Sequence, residues 1–158
     1  MCESSSFDAS FSELYRRAYQ VAFTMLGSRP EAEDLAQEAL ARAYLNWKKI
    51  APYATPWVLR VTGNLAIDVL RRRRLKKRIP VPDVVATVET ERIDLQRALA
   101  GISHRQRSAV VLRYFADMSE ADVAAALGCS VGTVKKHTAR GLATLRVLLE
   151  PEEANDEL

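Results

Sequence analysis

Between Ser103 and Leu149 the chain is punctuated so densely that few folds can accommodate it. Ser103 precedes Gln106 by three residues, Ser119 precedes Asp122 by three, and Ser130 follows Gly128. A serine hydroxyl satisfies the unpaired amides that open a helix, and a polar side chain three residues on completes the capping box. Glycine adopts the left-handed conformation that closes one. The pattern predicts a helix from Ser103 to near Ala116, a short helix from Ser119 to Leu127, a tight turn at Gly128, and a final helix from Ser130 to about Leu149. With an amphipathic helix carrying Leu95, Ala98, Leu99 and Ile102 before them, they form a compact bundle.

The segment SEADVAAALGCSVGTVKKHTARGLATLR therefore reads as helix, turn, helix, the arrangement that places a second helix in a DNA groove. On that last helix Val131, Val134, Thr138, Leu142 and Leu145 recur every three or four residues and are expected to face the core. Gly132, Thr133, Lys136 and Arg140 fall opposite, with Lys135, His137 and Ala139 at the borders. This small, hydroxylic and basic side suits phosphates and guanine edges. An ordinary surface helix is the plain alternative; capping, turn glycine and polar face together argue against it. His137 has no nucleophile or carboxylate partner in the sequence, and Cys129 reads as packing in the turn.

A second helical block runs from Phe11 to Lys77. Leu14, Ala18, Val21, Ala22 and Met25 share a face on its first helix, which Gly27 closes. Ser28 with Glu31 caps a second helix reaching Trp47. Lys48 to Ala54 reads as a loop, and Thr55-Pro56 restarts a helix with Thr as N-cap. Gly63 is expected to bend or split that last helix, because glycine weakens a helix interior. Residues 1–10 read as a flexible N-terminus.

Between the blocks lies IPVPDVVATVETE, where Pro80 and Pro82 remove backbone donors and no helical period survives. It reads as an extended linker over 79–91. The expected architecture is all-α: two small helical domains, 11–78 and 92–150, then an acidic tail over 151–158. A mix of 48% hydrophobic and 27% charged residues supports buried cores rather than disorder.

Charge locates candidate partners. The net charge is only +3, yet Arg71, Arg72, Arg73, Arg74, Lys76, Lys77 and Arg78 crowd into eight positions. Such a block suggests a polyanion. Just before it, Trp57, Arg60, Asn64, Asp68 and Arg71 align at spacings of three and four. An aromatic beside Asn and Arg can stack on and hydrogen-bond an unpaired base; equally, Trp57 can be core and Asn64 polar filler. On the preceding helix Asp34, Gln37, Glu38 and Ala41 share an acidic face that suits a basic protein partner or plain solvent. Cys2 and Cys129 form no CxxC pair and His104 and His137 no metal spacing with them, so neither a disulfide framework, a metal nor a cofactor is expected. The first ten residues do not resemble a signal peptide, and no apolar run reaches membrane length. These features suggest a cytoplasmic protein without membrane insertion.

The chain resembles the extracytoplasmic-function sigma factors, the smallest of the bacterial sigma-70 class. The likeness runs through FSELYRRAYQVAFTMLG, AEDLAQEALARAYLNW, PWVLRVTGNLAIDVLRRRR and the helix-turn-helix. It implies a protein that binds core RNA polymerase and promoter DNA, takes no small-molecule substrate, performs no catalysis, and is a target for an anti-sigma factor. It assigns Asp34, Gln37 and Glu38 to the polymerase clamp helices. It assigns Asn64, Asp68 and Arg71 to Arg74 to the −10 element, where Trp57 and Arg60 join them as candidates by their shared helical face, and Lys49 to Thr55 to a flipped non-template base. Thr133, Lys135, Lys136, His137 and Arg140 fall on the helix that reads the −35 element. Gly63 departs from the family, which more often has a better helix former there. The rival reading is a helix-turn-helix regulator that binds duplex DNA as a dimer, which would leave the acidic face and the Trp57–Asn64 array unused.

Overall fold

A computed structural model describes the backbone of residues 2–76 and 90–150 and the side chains of 6–76 and 94–150. The acidic tail, Lys77 and Arg78 lie outside those residues. So does the expected linker, except for Thr90 and Glu91, which open a helix. All regular elements among the described residues are helical: α1 (Cys2–Leu26), α2 (Arg29–Leu45), α3 (Trp47–Ile50), α4 (Ala54–Leu75), α5 (Thr90–Ala100), α6 (His104–Val110), α7 (Glu120–Leu127) and α8 (Val131–Leu149), with a 3-10 turn at Ala51–Tyr53 and a π-helical turn at Val111–Phe115.

The first domain differs from its sequence reading in four places. Helix α1 starts at Cys2, so the stretch expected to be flexible is helical from its second residue. Phe7 explains why: it is buried, with its ring edge-on to Trp47 and to Tyr44, each at 5.2 Å. Its face continues through Leu14, Ala18 and Val21. Second, residues 48–54 are not a loop, because buried Trp47 and Ile50 draw the chain into α3 and the 3-10 turn. Third, α4 opens at Ala54 without a side-chain cap, so Thr55 is inside the helix rather than at its N-cap. Fourth, α4 neither bends nor splits into two at Gly63 but runs as one helix of 22 residues. The expected caps at Gly27 (φ +68°) and Ser28, whose hydroxyl accepts from the Glu31 amide at 3.5 Å, are present.

The second domain follows its punctuation. Ser103, Ser119 and Ser130 each accept a backbone amide three residues on, at 3.2, 3.1 and 3.1 Å. Gly128 is left-handed at φ +68°. The Arg107 guanidinium closes the α5–α6 turn by donating to the carbonyls of Leu99, Ala100 and Ile102. One expectation for α8 needs correction. Val134, Gly141 and Leu145 form its buried seam, whereas Val131 and Leu142 are 39% and 38% exposed. Helix α6 approaches α8 over Gly141, where a Cβ would lie 2.8 Å from Val110 Cγ2, and so displaces Leu142 to the side.

Two apolar clusters hold the molecule together. One lies wholly in the first domain and joins Phe7, Leu14, Ala36, Leu40, Trp47 and Val58. The alanines of α2 let α1 pack closely. The other spans both domains, bringing Val21, Met25, Leu59, Ala66 and Ile67 against Leu99, Leu112, Met118 and Val123.

Candidate nucleic-acid interface

Each of three helices buries one side and exposes the side that the sequence singled out. On α2, Ala32, Ala36, Ala39, Leu40 and Ala43 are buried, and Asp34, Gln37, Glu38 and Ala41 face solvent. Among the described residues, Glu38 pairs with Arg42, one turn on, at 2.9 Å with both side chains half-exposed. The acidic face is open.

Helix α4 has three sides. Val58 packs in the first-domain cluster, with Trp57 partly buried against it. The packing reading of Trp57 therefore holds in part. Leu59, Ala66 and Ile67 join the shared cluster. Arg60, Asn64, Asp68 and Arg71 occupy the third side and are exposed as residues. Two of these are engaged. Arg60 forms an ion pair with Asp122 of α7, and Arg71 donates to the Ala126 carbonyl at 2.6 Å while lying 3.8 Å from Asp68.

The basic block does not act as one unit. Arg73 is turned inward, 25% exposed, ion-paired with Glu31 and donating to the Leu26 carbonyl at 3.0 Å. It fastens α4 to the α1–α2 corner. Arg72 reaches back to the Asp68 carbonyl at 3.4 Å, and Arg74 faces solvent. Tyr53, in the segment that the family resemblance assigns to a flipped base, is 51% exposed, beside exposed Ala51 and Pro52.

On α8, Lys135, Lys136 and Arg140 face solvent, and Thr133 and His137 are half-buried. The Thr133 hydroxyl is 2.9 Å from that of Ser130, so it belongs to the cap as well as to the exposed face. Lys135 reaches Glu120 of α7 at 3.7 Å. Burial pushes the His137 imidazole below the usual histidine range, with Arg105 and Arg140 adding to the effect. A helix opening that points toward solvent beside three cations favours a phosphate chain.

The sequence reading missed Glu31, Glu120, Asp122 and Ala126, which receive these basic side chains. Asp122 was legible only as the partner of Ser119; nothing local couples it to Arg60, 62 positions away. Among the described residues there is no cluster of three or more His, Cys, Asp or Glu side chains that could hold a metal, and no helix long and apolar enough to cross a membrane.

Comparison with known proteins matches both domains. Residues 11–76 match the family described as Sigma-70 region 2, and residues 92–145 the family described as Sigma-70, region 4. An RNA polymerase sigma-E factor of Streptomyces antibioticus is 40% identical over 132 residues, which is 78% of this chain and 73% of the relative. The ECF RNA polymerase sigma factor SigW of Bacillus subtilis is 28% identical over 162 residues, 87% of this chain and 86% of the relative. A solved structure of the sigma factor RpoE in complex with the anti-sigma factor NepR from Bartonella quintana shares the fold with a TM-score of 0.63 at 22% identity, covering 92% of this chain and 98% of that one.

Proposed function

The chain belongs to the extracytoplasmic-function group of sigma-70 RNA polymerase sigma factors, and from that membership we propose how its three exposed faces divide the work of promoter recognition. Asp34, Gln37 and Glu38 dock α2 on the core enzyme. Asn64 and Asp68, with Trp57, Arg60 and the arginines from Arg71 to Arg74, take the melted −10 strand. Thr133, Lys135, Lys136, His137 and Arg140 read the −35 duplex. The observation that carries this reading is the presence of an acidic face, a mixed polar face and a basic face on separate helices of one chain. A duplex-only dimer needs only the last of them.

The work is done by binding. Unstacking a base costs a few kcal/mol, and stacking on an aromatic such as exposed Tyr53 returns roughly 1–3 kcal/mol. Core polymerase holds both domains at promoter spacing, which turns two weak contacts into one strong one. No catalytic step, cofactor or small-molecule substrate enters this mechanism. The chain acts in the cytoplasm, where polymerase and promoters are, and an anti-sigma factor that covers either domain would silence it.

Run-off transcription tests the reading directly. Core polymerase with this chain is expected to give promoter-specific transcripts that core alone does not. Duplex binding by a dimer of the chain, without any transcript from core, would favour the regulator instead.

A further inference from the structure

We propose that residues 151–158 fold back along the basic side of α8 and compete with DNA for it, so that the free chain supplies a counter-charge to its own duplex-binding face. This rests on the reading of α8 as a DNA-binding helix.

The two segments are complementary in charge. Helix α8 holds Lys135, Lys136, Arg140 and Arg146 and not one carboxylate. Residues 151–158 hold Glu152, Glu153, Asp156 and Glu157 and not one cation. Without those four the chain would have a net charge of +7 rather than +3. At its two ends the helix is partly neutralised, by Glu120 on Lys135 at 3.7 Å and by Glu150 on Arg146 at 3.4 Å. Its middle is not. Lys136 and Arg140 are exposed, one turn apart, and form no ion pair among the described residues. Helix α6 adds to the excess. Its Gln106 packs on Gly141, where a Cβ would lie 3.4 Å from Gln106 Cβ, and that crossing sets exposed Arg105 within electrostatic reach of His137.

The end of α8 starts the segment on this path. Glu150 is the C-cap, with its backbone extended at ψ 125°, and its carboxylate already turns back to Arg146, one turn inside the helix. Pro151 disfavours helical backbone at the residue before it, so the chain leaves the helical path there. From Leu149, Arg140 lies about 14 Å back along the axis and Lys136 about 20 Å. Eight residues of chain span at most about 26–29 Å. The four carboxylates therefore reach both unpaired cations without any unfolding of α8.

Magnitudes decide when the segment holds and when it yields. One exposed ion pair contributes little. Several carboxylates tethered at the end of the same helix act at an effective concentration of about millimolar. Duplex DNA carries one phosphate charge per about 1.7 Å of axis, far denser than the segment, and it displaces the segment where polymerase holds α8 against a promoter. The free chain, by contrast, loses affinity for every duplex alike and is kept off bulk DNA.

The test uses the full-length chain at low salt. A carbodiimide joins lysine amines to carboxylates already in contact, and the Lys135–Glu120 pair serves as its positive control. Peptide mapping of the monomer should show Lys136 or Lys135 joined to residues 152–157, and excess short duplex DNA of arbitrary sequence should suppress that product. Joining only to Lys48, Lys49, Lys76 or Lys77, or only between two copies, overturns the docking. Glu152→Gln, Glu153→Gln, Asp156→Asn and Glu157→Gln together should raise affinity for the same duplex, fluorescently labelled, about fivefold, because apparent affinity scales with the fraction of α8 left uncovered. Diffuse repulsion alone would also raise it, and Arg140→Ala separates the two causes. A docked segment loses part of its seat in that variant, so the same neutralisation should then gain about twofold or less. Equal gains in both backgrounds leave only a diffuse field and overturn the proposal. If duplex binding is intact and the cross-link to α8 is absent, the docking alone fails. If the cross-link forms and neither chain binds duplex, the reading of α8 as a DNA-binding helix fails, and competition with DNA fails with it.

Discussion

Gly141 of α8 and Val110 of α6 share a space that holds only one of their side chains: a Cβ on Gly141 would sit 2.8 Å from Val110 Cγ2 and 3.4 Å from the Gln106 carbonyl oxygen. Val110 is β-branched and only 2% exposed, so it has little freedom to rotate away. Alanine is about 1 kcal/mol better than glycine in a helix, but overpacking a core costs about 1–3 kcal/mol. Gly141→Ala is therefore expected to lose roughly 1 kcal/mol net. Thermal unfolding checks this, and a variant as stable as wild type would show that α6 shifts freely over α8.

The same residue shows where the sequence was legible and where it was not. Caps at Ser103, Ser119 and Ser130 and the turn at Gly128 are local signals, so α6, α7 and the start of α8 could be read almost to the residue. Leu142 was assigned to the core because apolar side chains mark a face, yet the closest helix approach uses a glycine, which carries no such mark. Phe7 was hidden among serines and acids, and only Trp47 and Tyr44, far along the chain, make it core. Gly63 was expected to bend or split α4 and does neither; what it accommodates, Leu112, is a tertiary fact. The arginines suggested a polyanion partner, and the sequence held no sign that Glu31 would claim Arg73.

The open face of α2 makes the polymerase contact proposed for it separable from folding. Among the described residues the ion pair of Glu38 is the half-exposed one with Arg42, and pairs of that kind are worth about 0.3–0.5 kcal/mol. Glu38→Lys is expected to leave helicity unchanged and to weaken core binding about tenfold or more, which is 1.4 kcal/mol. Fluorescence anisotropy against core polymerase measures it. Undiminished affinity in a folded variant removes Asp34, Gln37 and Glu38 from the interface.

With His137 in the proposed −35 interface, DNA binding is expected to depend on pH. Burial, then Arg105 and Arg140, lower its pKa in the free chain, so it is neutral at pH 7. Phosphates beside it favour the charged form, so the bound state holds its proton more tightly. Binding takes up a proton over that interval, and −35 affinity should rise as pH falls from about 7 toward 6 at fixed salt. The fold responds oppositely. Its stability from neutral His137 is complete above about 6.5, the unfolded pKa, and declines as pH falls through the lower folded value. His137→Gln should flatten the binding profile; an unchanged slope would place the titrating group elsewhere.

Asn64 distinguishes a sigma factor from a duplex-only regulator most sharply. It sits on the exposed side of α4 between Arg60 and Asp68, and it is not among the buried residues of either apolar cluster. Truncating it should therefore cost little stability. In holoenzyme, Asn64→Ala is expected to slow open-complex formation on duplex promoter about tenfold, a loss of one or two hydrogen bonds to an unpaired base at about 0.5–1.5 kcal/mol each. A template already unpaired across −10 separates two causes. If Asn64 helps to melt the duplex, the pre-melted template restores most of the rate. If Asn64 reads the captured base, the defect persists and varies with the base at one position. The two outcomes place Asn64 at different steps, and both require single-stranded DNA on this face of α4. Opening at the wild-type rate on both templates would remove Asn64 from the promoter and leave the Trp57–Asp68 side of α4 without its assigned role.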